Sequence, residues 1–598
     1  MKTGNISVST ENIFPIIKQF LYSDQEIFLR ELVSNAVDAT SKLRTLALRG
    51  EVQGEVGDTH IDIILDEDAR TLTIRDRGIG MTEAEAERYL NQVAFSSAQE
   101  FLDKYKADGA SIIGHFGLGF YSAFMVAKRV EAVTKSYKMD SEGVTWACEG
   151  NTEFTLSANE KTERGTDIVL YLTDEDAEEY GQKARIKELL DKYCKFLPVA
   201  IFFDGEQINN PHPIWKKSPT ENTDEEYKAF YQELYPYSAE PLFHIHLNID
   251  FPFNLTGILY FPLLKNTLEV QKNKIHLYCN QVYVTDEVKD IVPDFLQLLH
   301  GVIDSPDIPL NVSRSALQAD RNVKRITSYI TKKVADKLEE MFKNDRADFE
   351  HKWENIGTFI KYGMLTDEKF GERGMKFALL QNTEKQAFTL EEYQEKVKAE
   401  QTDKNGKTVI LYTHNAEEHD AYIKAANAKG YDILLTDVVI DGHFMQMLES
   451  KLENVTCKRV DADTIDRLVE KDSTMESVLT EAQQETVKNV FTDVAMGKTV
   501  ELRALAATDA PVQIVRPEFM RRFAEMQRMQ GQSMEGFGDM YNIVVNTNHP
   551  LVTDKLLQTL EADRAALATY LYDLARLQQN LLKGADLTAF VQKSMGFL

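Results

Sequence analysis

Three short segments follow one another near the start of the chain: RELVSNAVDA at Arg30–Ala39, DRGIGM at Asp76–Met81 and GHFGLGF at Gly114–Phe120. In the first, Glu31, Asn35 and Asp38 fall at i, i+4 and i+7, so two carboxylates and an amide project from one face of a helix. In the second, Asp76 offers a carboxylate that can accept a hydrogen bond from an amino group such as that of adenine. Gly78 and Gly80 beside it let the backbone turn and approach a ligand. In the third, Gly114, Gly117 and Gly119 precede Phe120 and the apolar run Tyr121 to Ala127, which reads as a loop entering a helix whose free N–H groups would seat phosphates. Each segment alone is weak, because glycines also make turns and a polar helix face is ordinarily just solvated. Taken together and in this order they compose a nucleotide pocket.

The elements that must position these groups are legible upstream and between them. Thr10 to Tyr22 places Ile13, Phe14, Ile17, Phe20 and Leu21 at helical spacing, and Asp24 can cap a longer helix that buries Ile27, Phe28, Leu32, Ala36 and Leu43. The run IDIILDEDARTLTIRD alternates Ile61, Ile63 and Leu65, then Leu72 and Ile74, across a polar turn at Asp66 to Arg70. This is a hairpin with one buried face, and it delivers Asp76 to its loop. The GxxGxG pattern is not a Walker A loop, since no GK[ST] follows, nor a Rossmann fingerprint, since no βαβ unit surrounds it.

Composition sets the outer bounds. With 598 residues, 43% hydrophobic and 27% charged, the chain is an ordinary globular protein too long for one core, and about three or four domains are expected. A net charge of −27 argues against a protein whose main work is neutralising the phosphates of DNA or RNA. Four cysteines, Cys148, Cys194, Cys279 and Cys457, lie far apart without a CxxC pair, so neither a zinc site nor a disulfide framework is indicated. No secretory signal and no apolar run of about 18 residues is present. A cytoplasmic protein without membrane or nucleic-acid partners is expected.

Further along, Pro211, Pro213 and Pro219 mark a boundary, and a second domain begins near Thr223. It mixes helices with strands at His244 to Ile249, Thr256 to Phe261 and Leu277 to Val284, the pattern of an α/β layer. PLNVSRSALQ places Arg314 on a loop before a helix, with Ser315 and Gln318 at capping-box spacing; an arginine there is ordinarily a surface ion-pair donor. A helix is predicted over Val323 to Lys343, and buried strands over Thr408 to His414 and Tyr431 to Thr436. The polar stretch Glu470 to Glu485 suggests another boundary. Near the end, Met520, Met526, Met529, Met534 and Met540 alternate with Phe519, Phe523 and Phe537, either as core or as an adaptable surface. Leu567, Leu571, Leu574, Leu577 and Leu581 form a helical stripe that a small domain would bury against a second copy.

The three segments resemble the ATP-binding elements of the GHKL superfamily of gyrase, heat-shock chaperone, histidine kinase and MutL proteins. FYSAFMVAKRV, ERGTDIVLYL around Gly165 and Thr166, PIWKKSP at Pro213–Pro219, VIDSPDIPLNVSRSALQ at Val302–Gln318 and VVNTNHPLV at Val544–Val552 resemble the heat shock protein 90 chaperones from end to end, and their bacterial form in particular. The resemblance implies an α+β multidomain chain. Residues 1–210 would form a GHKL (Bergerat-type) α/β sandwich ATPase domain, 211–222 a short linker, 223–470 an α/β middle domain, and 471–598 a mainly helical dimerisation and client-contact domain. It implies that Glu31 acts as general base or water-orienting carboxylate and that Asn35 coordinates Mg²⁺ bound to the phosphates. Asp76 would bind the adenine amino group, supported by Gly80 and Thr166, with Met81 and Phe120 packed on the nucleotide and Gly114, Gly117 and Gly119 along the phosphates. Asp38 would support the pocket. Arg314 would be a catalytic arginine reaching the γ-phosphate from the middle domain, with Asn311 shaping its loop and Gln318 nearby.

The function so implied is an ATP-dependent chaperone, a homodimeric clamp that hydrolyses ATP to ADP and phosphate and acts on unfolded or partly folded clients, with co-chaperones as further partners. One departure stands out. Where the family often reads IAKSGT before the lid, this chain reads VAFSSA, so Phe95 replaces a lysine near the nucleotide and Ser97 a glycine. The competing readings are a DNA-acting GHKL enzyme, which the acidic balance disfavours, and a holdase without an ATP cycle. A histidine kinase would need a phosphoacceptor helix ahead of a pocket that begins too near residue 1.

Overall fold

The computed structural model describes residues 25–92, 97–105, 112, 114, 117–151, 153–263, 274–288, 291–308, 321–436, 440–471, 475–519 and 541–595. The chain divides into two compact units, Met1–Val334 and Ala335–Leu598.

The first unit begins with helix α1 (Ile27–Leu48), which buries Phe28, Leu29, Leu32, Val33 and Val37 along one stripe. That stripe lies on an eight-stranded sheet in the order β5-β4-β3-β6-β2-β1-β7-β8. Its strands are β1 (Ile61–Asp66), β2 (Thr71–Arg75), β3 (Ala127–Lys135), β4 (Gly143–Cys148), β5 (Phe154–Asn159), β6 (Gly165–Leu172), β7 (Ile201–Phe203) and β8 (Glu206–Gln207). The hairpin expected from IDIILDEDARTLTIRD is β1–β2, with Ile63 opposite Ile74 and Leu65 opposite Leu72. Alternation puts Ile61, Ile63, Leu72 and Ile74 into one core with the α1 stripe, because successive strand side chains point to opposite faces. Each such side chain contributes about 1.5–3 kcal/mol by leaving water. Helix α2 (Lys183–Tyr193) closes the same core with Ile186, Leu189 and Leu190.

The apolar run after the glycine loop differs from expectation. It forms a 3₁₀ stretch, Gly119–Met125, and then strand β3, rather than one helix. The β3 residues alternate buried and half-buried as a sheet requires, and the run of small and aromatic residues before it is too short to sustain an α-helix.

Between Pro213 and Pro219, Trp215 is fully buried in a cluster with Phe196, Phe230 and Tyr278. Helix α3 (Asp224–Leu234) starts from a capping box of Thr223 and Glu226, which satisfies donors at its first turn. A five-stranded sheet follows, in the order β12-β11-β13-β10-β9, from β9 (Phe243–Ile249), β10 (Leu255–Phe261), β11 (Ile275–Cys279), β12 (Val282–Thr285) and β13 (His300–Asp304). Leu277 to Val284 is therefore not one strand. Asn280 and Gln281 both adopt positive φ, 51° and 65°, and turn the chain back on itself as a two-residue hairpin does. Gln281 Nε2 donates to Phe196 O at 2.7 Å and Pro211 O at 3.1 Å, and Val282 joins the core beneath the first sheet. The hairpin tip thus docks on the layer of the first sheet.

The helix expected at Val323 to Lys343 spans Arg321–Asn344. In the second unit a further sheet, β15-β14-β17-β16-β18, contains β14 (Leu379–Asn382), β15 (Ala387–Thr389), β16 (Thr408–Thr413), β17 (Ile433–Leu435) and β18 (Val455–Arg459). A three-stranded sheet of β19 (Val500–Arg503), β20 (Val512–Val515) and β21 (Asn542–Asn546) carries helices Glu481–Val494 and Glu561–Gln578. The leucine stripe on the last of these divides. Leu571 is buried and Leu567 packs on the core, whereas Leu574 and Leu577 keep 36% and 39% of their surface exposed; Leu581, expected on the same stripe, lies past the helix end, beyond Asn580 at φ 51°, and packs on the core from there. The methionines Met520 to Met540 lie outside the described residues.

Candidate functional site

Helix α1 presents its chemistry from the side of its apolar stripe. Its first turn is anchored by Glu26, whose carboxylate accepts from Tyr193 Oη at 2.7 Å and Arg185 Nη2 at 2.9 Å and also meets Lys192 Nζ. A carboxylate at this end also favours the helix dipole. Asp24, expected as the cap, lies outside the described residues.

Glu31 is only 2% exposed. Its Oε1 accepts from Arg30 Nη2 at 3.0 Å and from Nε at 3.3 Å. Its Oε2 faces the glycine loop so closely that a Cβ on Gly119 would stand 2.7 Å away; only glycine leaves the carboxylate its place. One turn on, Asn35 is half-buried at the cavity wall. Asp38 Oδ2 accepts from Gly114 N at 2.7 Å, which ties the glycine loop to α1.

The loop after β2 is stitched to the same helix by Ile79 N, which donates to Ala39 O at 3.2 Å. Asp76 is buried; its Oδ1 accepts from Gly78 N at 2.8 Å, and its N donates to Thr166 O at 2.9 Å. Burial pushes its carboxyl up to about 7, against the pull of the Gly78 N–H and with the nearby Asp167 charge adding to the rise. Thr134 Oγ1 accepts from Met81 N and shares a hydrogen bond with Thr166 Oγ1, both at 2.9 Å. Gly80 has φ of 57°, and a Cβ there would lie 1.8 Å from Lys135 O, so the turn admits no side chain.

These groups surround one cavity of about 440 Å³, within the range of small-molecule sites. Glu31, Asn35, Asp76, Gly80, Met81, Gly114, Gly117, Gly119, Phe120 and Thr166 all line it. Asp38 lines it too. Met81 and Phe120 form an apolar wall with Leu90 and Trp146. Arg314, Gln318, Asn311 and Phe95 lie outside the described residues. Three contributors were not singled out from the sequence. Lys42 lines the cavity; burial lowers its ammonium while Asp38 raises it. Its position, four residues after Asp38, would have flagged it as part of the same helix face. Thr134 carries no signal apart from its strand, and Arg30 none, since adjacent residues on a helix do not ordinarily face each other.

Comparison with known proteins decides the family. Residues 22–170 match the family described as "Histidine kinase-, DNA gyrase B-, and HSP90-like ATPase" and residues 199–595 match "Hsp90 protein". The chain belongs to the Hsp90 family. It is similar to chaperone protein HtpG of Porphyromonas gingivalis, 52% identical over 98% of this chain and 89% of that protein. The HtpG of Bacteroides thetaiotaomicron is 54% identical over 95% and 85%, and that of Idiomarina loihiensis 30% identical over 100% and 99%. As an Hsp90 with a GHKL-type ATPase domain, this chain binds and hydrolyses ATP and is an ATP-dependent chaperone of the stress response. The Hsp90 match over residues 199–595 leaves no place for the readings as a DNA-acting GHKL enzyme or a histidine kinase. Among the described residues no helix of this Hsp90 is long and apolar enough to cross a membrane.

Proposed function

We propose that this Hsp90 works as a cytoplasmic homodimeric clamp in which Glu31 is the base of ATP hydrolysis. The observation that carries the reading is the placement of Glu31: a buried carboxylate with one oxygen on Arg30 and the other against Gly119, in the cavity that also holds Asp76. A water between Glu31 and the γ-phosphate is activated by loss of a proton to Oε2, or oriented by it. Ionised Asp76 accepts the adenine amino group, and Met81 and Phe120 hold the base by apolar contact. Backbone N–H groups of the glycine loop meet the phosphates, since a seven-residue 3₁₀ stretch has little dipole to offer.

The donor set suits Mg²⁺. That ion takes few protein ligands and keeps water and phosphate oxygens, and among the described residues no cluster of three His, Cys, Asp or Glu competes to form a cage. Asn35 would hold it through its amide oxygen, and the ion would neutralise phosphate charge. Arg314 supplies a second cation from the middle domain, which we place at 223–470 between the ATPase domain (1–210, with linker 211–222) and the C-terminal domain (471–598).

Dimerisation is supported by Leu574, Leu577, Val591 and Met595, all exposed apolar side chains on the last two helices. Client chains, and co-chaperones where they act, meet the methionine-rich segment Met520 to Met540. Nucleotide shifts the clamp between open and closed states, and clients read that difference as affinity. The test is steady-state ATP hydrolysis by the full chain and by Glu31→Ala, with ATP binding measured separately. Turnover lost with binding retained supports the assignment; turnover indifferent to Glu31 overturns it and favours a holdase.

A further inference from the structure

The guanidinium that holds Glu31 is itself buried, and the ring packed against it is met in turn by a ring of the second sheet. Arg30 lies over the ring of Tyr193, with its carbon 5.9 Å from the ring centroid. Tyr193 is fixed from the other side: its hydroxyl donates to Glu26 at 2.7 Å, and Lys192 stands 4.7 Å from the centroid of the same ring. Edge-on against Tyr193, centroid to centroid 5.9 Å, sits Tyr283. Tyr283 belongs to β12, in the hairpin whose Gln281 and Val282 dock on the ATPase layer.

From this line of contacts we infer that Tyr283 is a positioning residue for ATP hydrolysis, acting through Tyr193 and Arg30 to keep the Glu31 carboxylate in its working place. The inference rests on the reading of Glu31 as the base. Its physical basis is solvent exclusion. A guanidinium packed under the Tyr193 ring, which Tyr283 meets edge-on, is kept from bulk water, and in a medium of low dielectric its attraction for the carboxylate is strong. Water admitted beside Arg30 screens that attraction and offers the guanidinium other acceptors, so the carboxylate loses its fixed orientation. The charge of Arg30 is felt at the Tyr283 phenol, which burial raises and the Lys192 and Arg30 charges lower.

The consequence is that the seat of the second sheet on the first is read out at the catalytic carboxylate. When the β11–β12 hairpin is docked, Tyr283 braces the Tyr193 ring beside Arg30 and Glu31 is held; when it shifts, the brace goes with it. Tyr283 does not line the nucleotide cavity. A contact of this kind alters rate rather than substrate binding.

The test uses the full chain and compares kcat and KM for ATP in wild type, Tyr283→Ala, Tyr283→Leu and Tyr283→Phe, each also in an Arg30→Lys background. Tyr283→Ala should lower kcat about three- to tenfold and leave KM within about twofold of wild type. Tyr283→Phe keeps the ring and should restore kcat. In the Arg30→Lys background, where the planar group that lies over Tyr193 is gone, Tyr283→Ala should change kcat by less than about twofold. Equal factors in both backgrounds, or kcat and KM moving together, would mean that Tyr283 is only interface packing and would overturn the inference. Tyr283→Leu fills most of the volume; if Tyr283→Ala does not fold, the same comparison is made with it. Glu31→Ala is measured alongside. If it keeps its turnover, the base assignment fails; if it is dead while every Tyr283 variant is as active as wild type, only the present inference fails.

Discussion

Arg30 Nη2 stands 3.0 Å from Glu31 Oε1, and the two side chains keep only 2% and 3% of their surface exposed. Neighbouring residues on a helix point about 100° apart, so the contact requires the guanidinium to fold back along the helix to reach the carboxylate. A buried carboxylate with a counter-charge on one oxygen and a glycine against the other has one orientation left to it. This relationship determines how the site responds to change.

Removal of Arg30 leaves Glu31 as a buried charge without its partner, a situation that costs about 3–5 kcal/mol. Arg30→Ala is expected to lower the stability of the ATPase domain and to reduce kcat at least about tenfold, since a base that has lost its position or its charge forfeits most of its 10²–10⁴-fold contribution. ATP affinity should change by less than about threefold. Calorimetric unfolding of the full chain, followed by kinetics and nucleotide titration, checks all three.

Gly119→Ala tests the other oxygen. Its Cβ would stand 2.7 Å from Glu31 Oε2, inside van der Waals contact, and the carboxylate must give way. The expected result is a loss of kcat of about tenfold or more, as for a misplaced catalytic group, with an unchanged far-ultraviolet circular dichroism spectrum. Gly80→Ala differs in kind, because its obstacle is the backbone oxygen of Lys135 at 1.8 Å. That variant should lose stability and nucleotide binding together.

The pH response of nucleotide binding follows from Asp76. With its carboxyl at about 7, against 3.8 ordinarily, the folded apo protein holds a proton that the unfolded chain has released between these values. Stability from this group is therefore full below about pH 4 and is lost as pH rises through 7. Adenine binding runs the other way, since an acceptor for the amino group must be ionised. ATP affinity should rise about tenfold from pH 6 to pH 8, with uptake of the released proton by buffer visible in titrations run in buffers of different ionisation heat. Asp76→Asn should abolish the dependence along with most of the affinity.

The sequence made the pocket legible because its groups ride on strong periodicities. Glu31, Asn35 and Asp38 share a helix face, and the alternation of Ile61, Ile63, Leu72 and Ile74 leaves Asp76 only one loop to occupy. What escaped reading was settled by distant packing. Asn280 and Gln281 turn a seeming strand into a hairpin although neither is glycine, since docking of Gln281 on Phe196 and Pro211 holds a backbone that local propensity would not choose. Arg30 carries no signal of its role, which depends on Tyr193, more than 160 residues away in sequence, lying beside it. The leucine stripe was read as one surface because periodicity gives a face but not its neighbours; the helix Glu481–Val494 and the three-stranded sheet bury Leu571 and leave Leu574 and Leu577 out.

That division of the stripe makes the dimer testable without disturbing the fold. Leu574→Glu with Leu577→Glu alters side chains that are already over a third exposed, so the cost to each subunit should stay within about 1 kcal/mol. If the two leucines meet a second copy, placing four carboxylates in the apolar contact costs several kcal/mol of association, about 10²–10³-fold or more in dimer dissociation constant. Sedimentation equilibrium of the full chain should then show monomers at micromolar concentration, and dimers for the unaltered chain. ATP turnover measured on the same samples should fall with the dimer fraction, since a clamp closes only when its two arms are joined. A variant that stays dimeric would place the contact elsewhere on the last two helices, with Val591 and Met595 the next residues to alter.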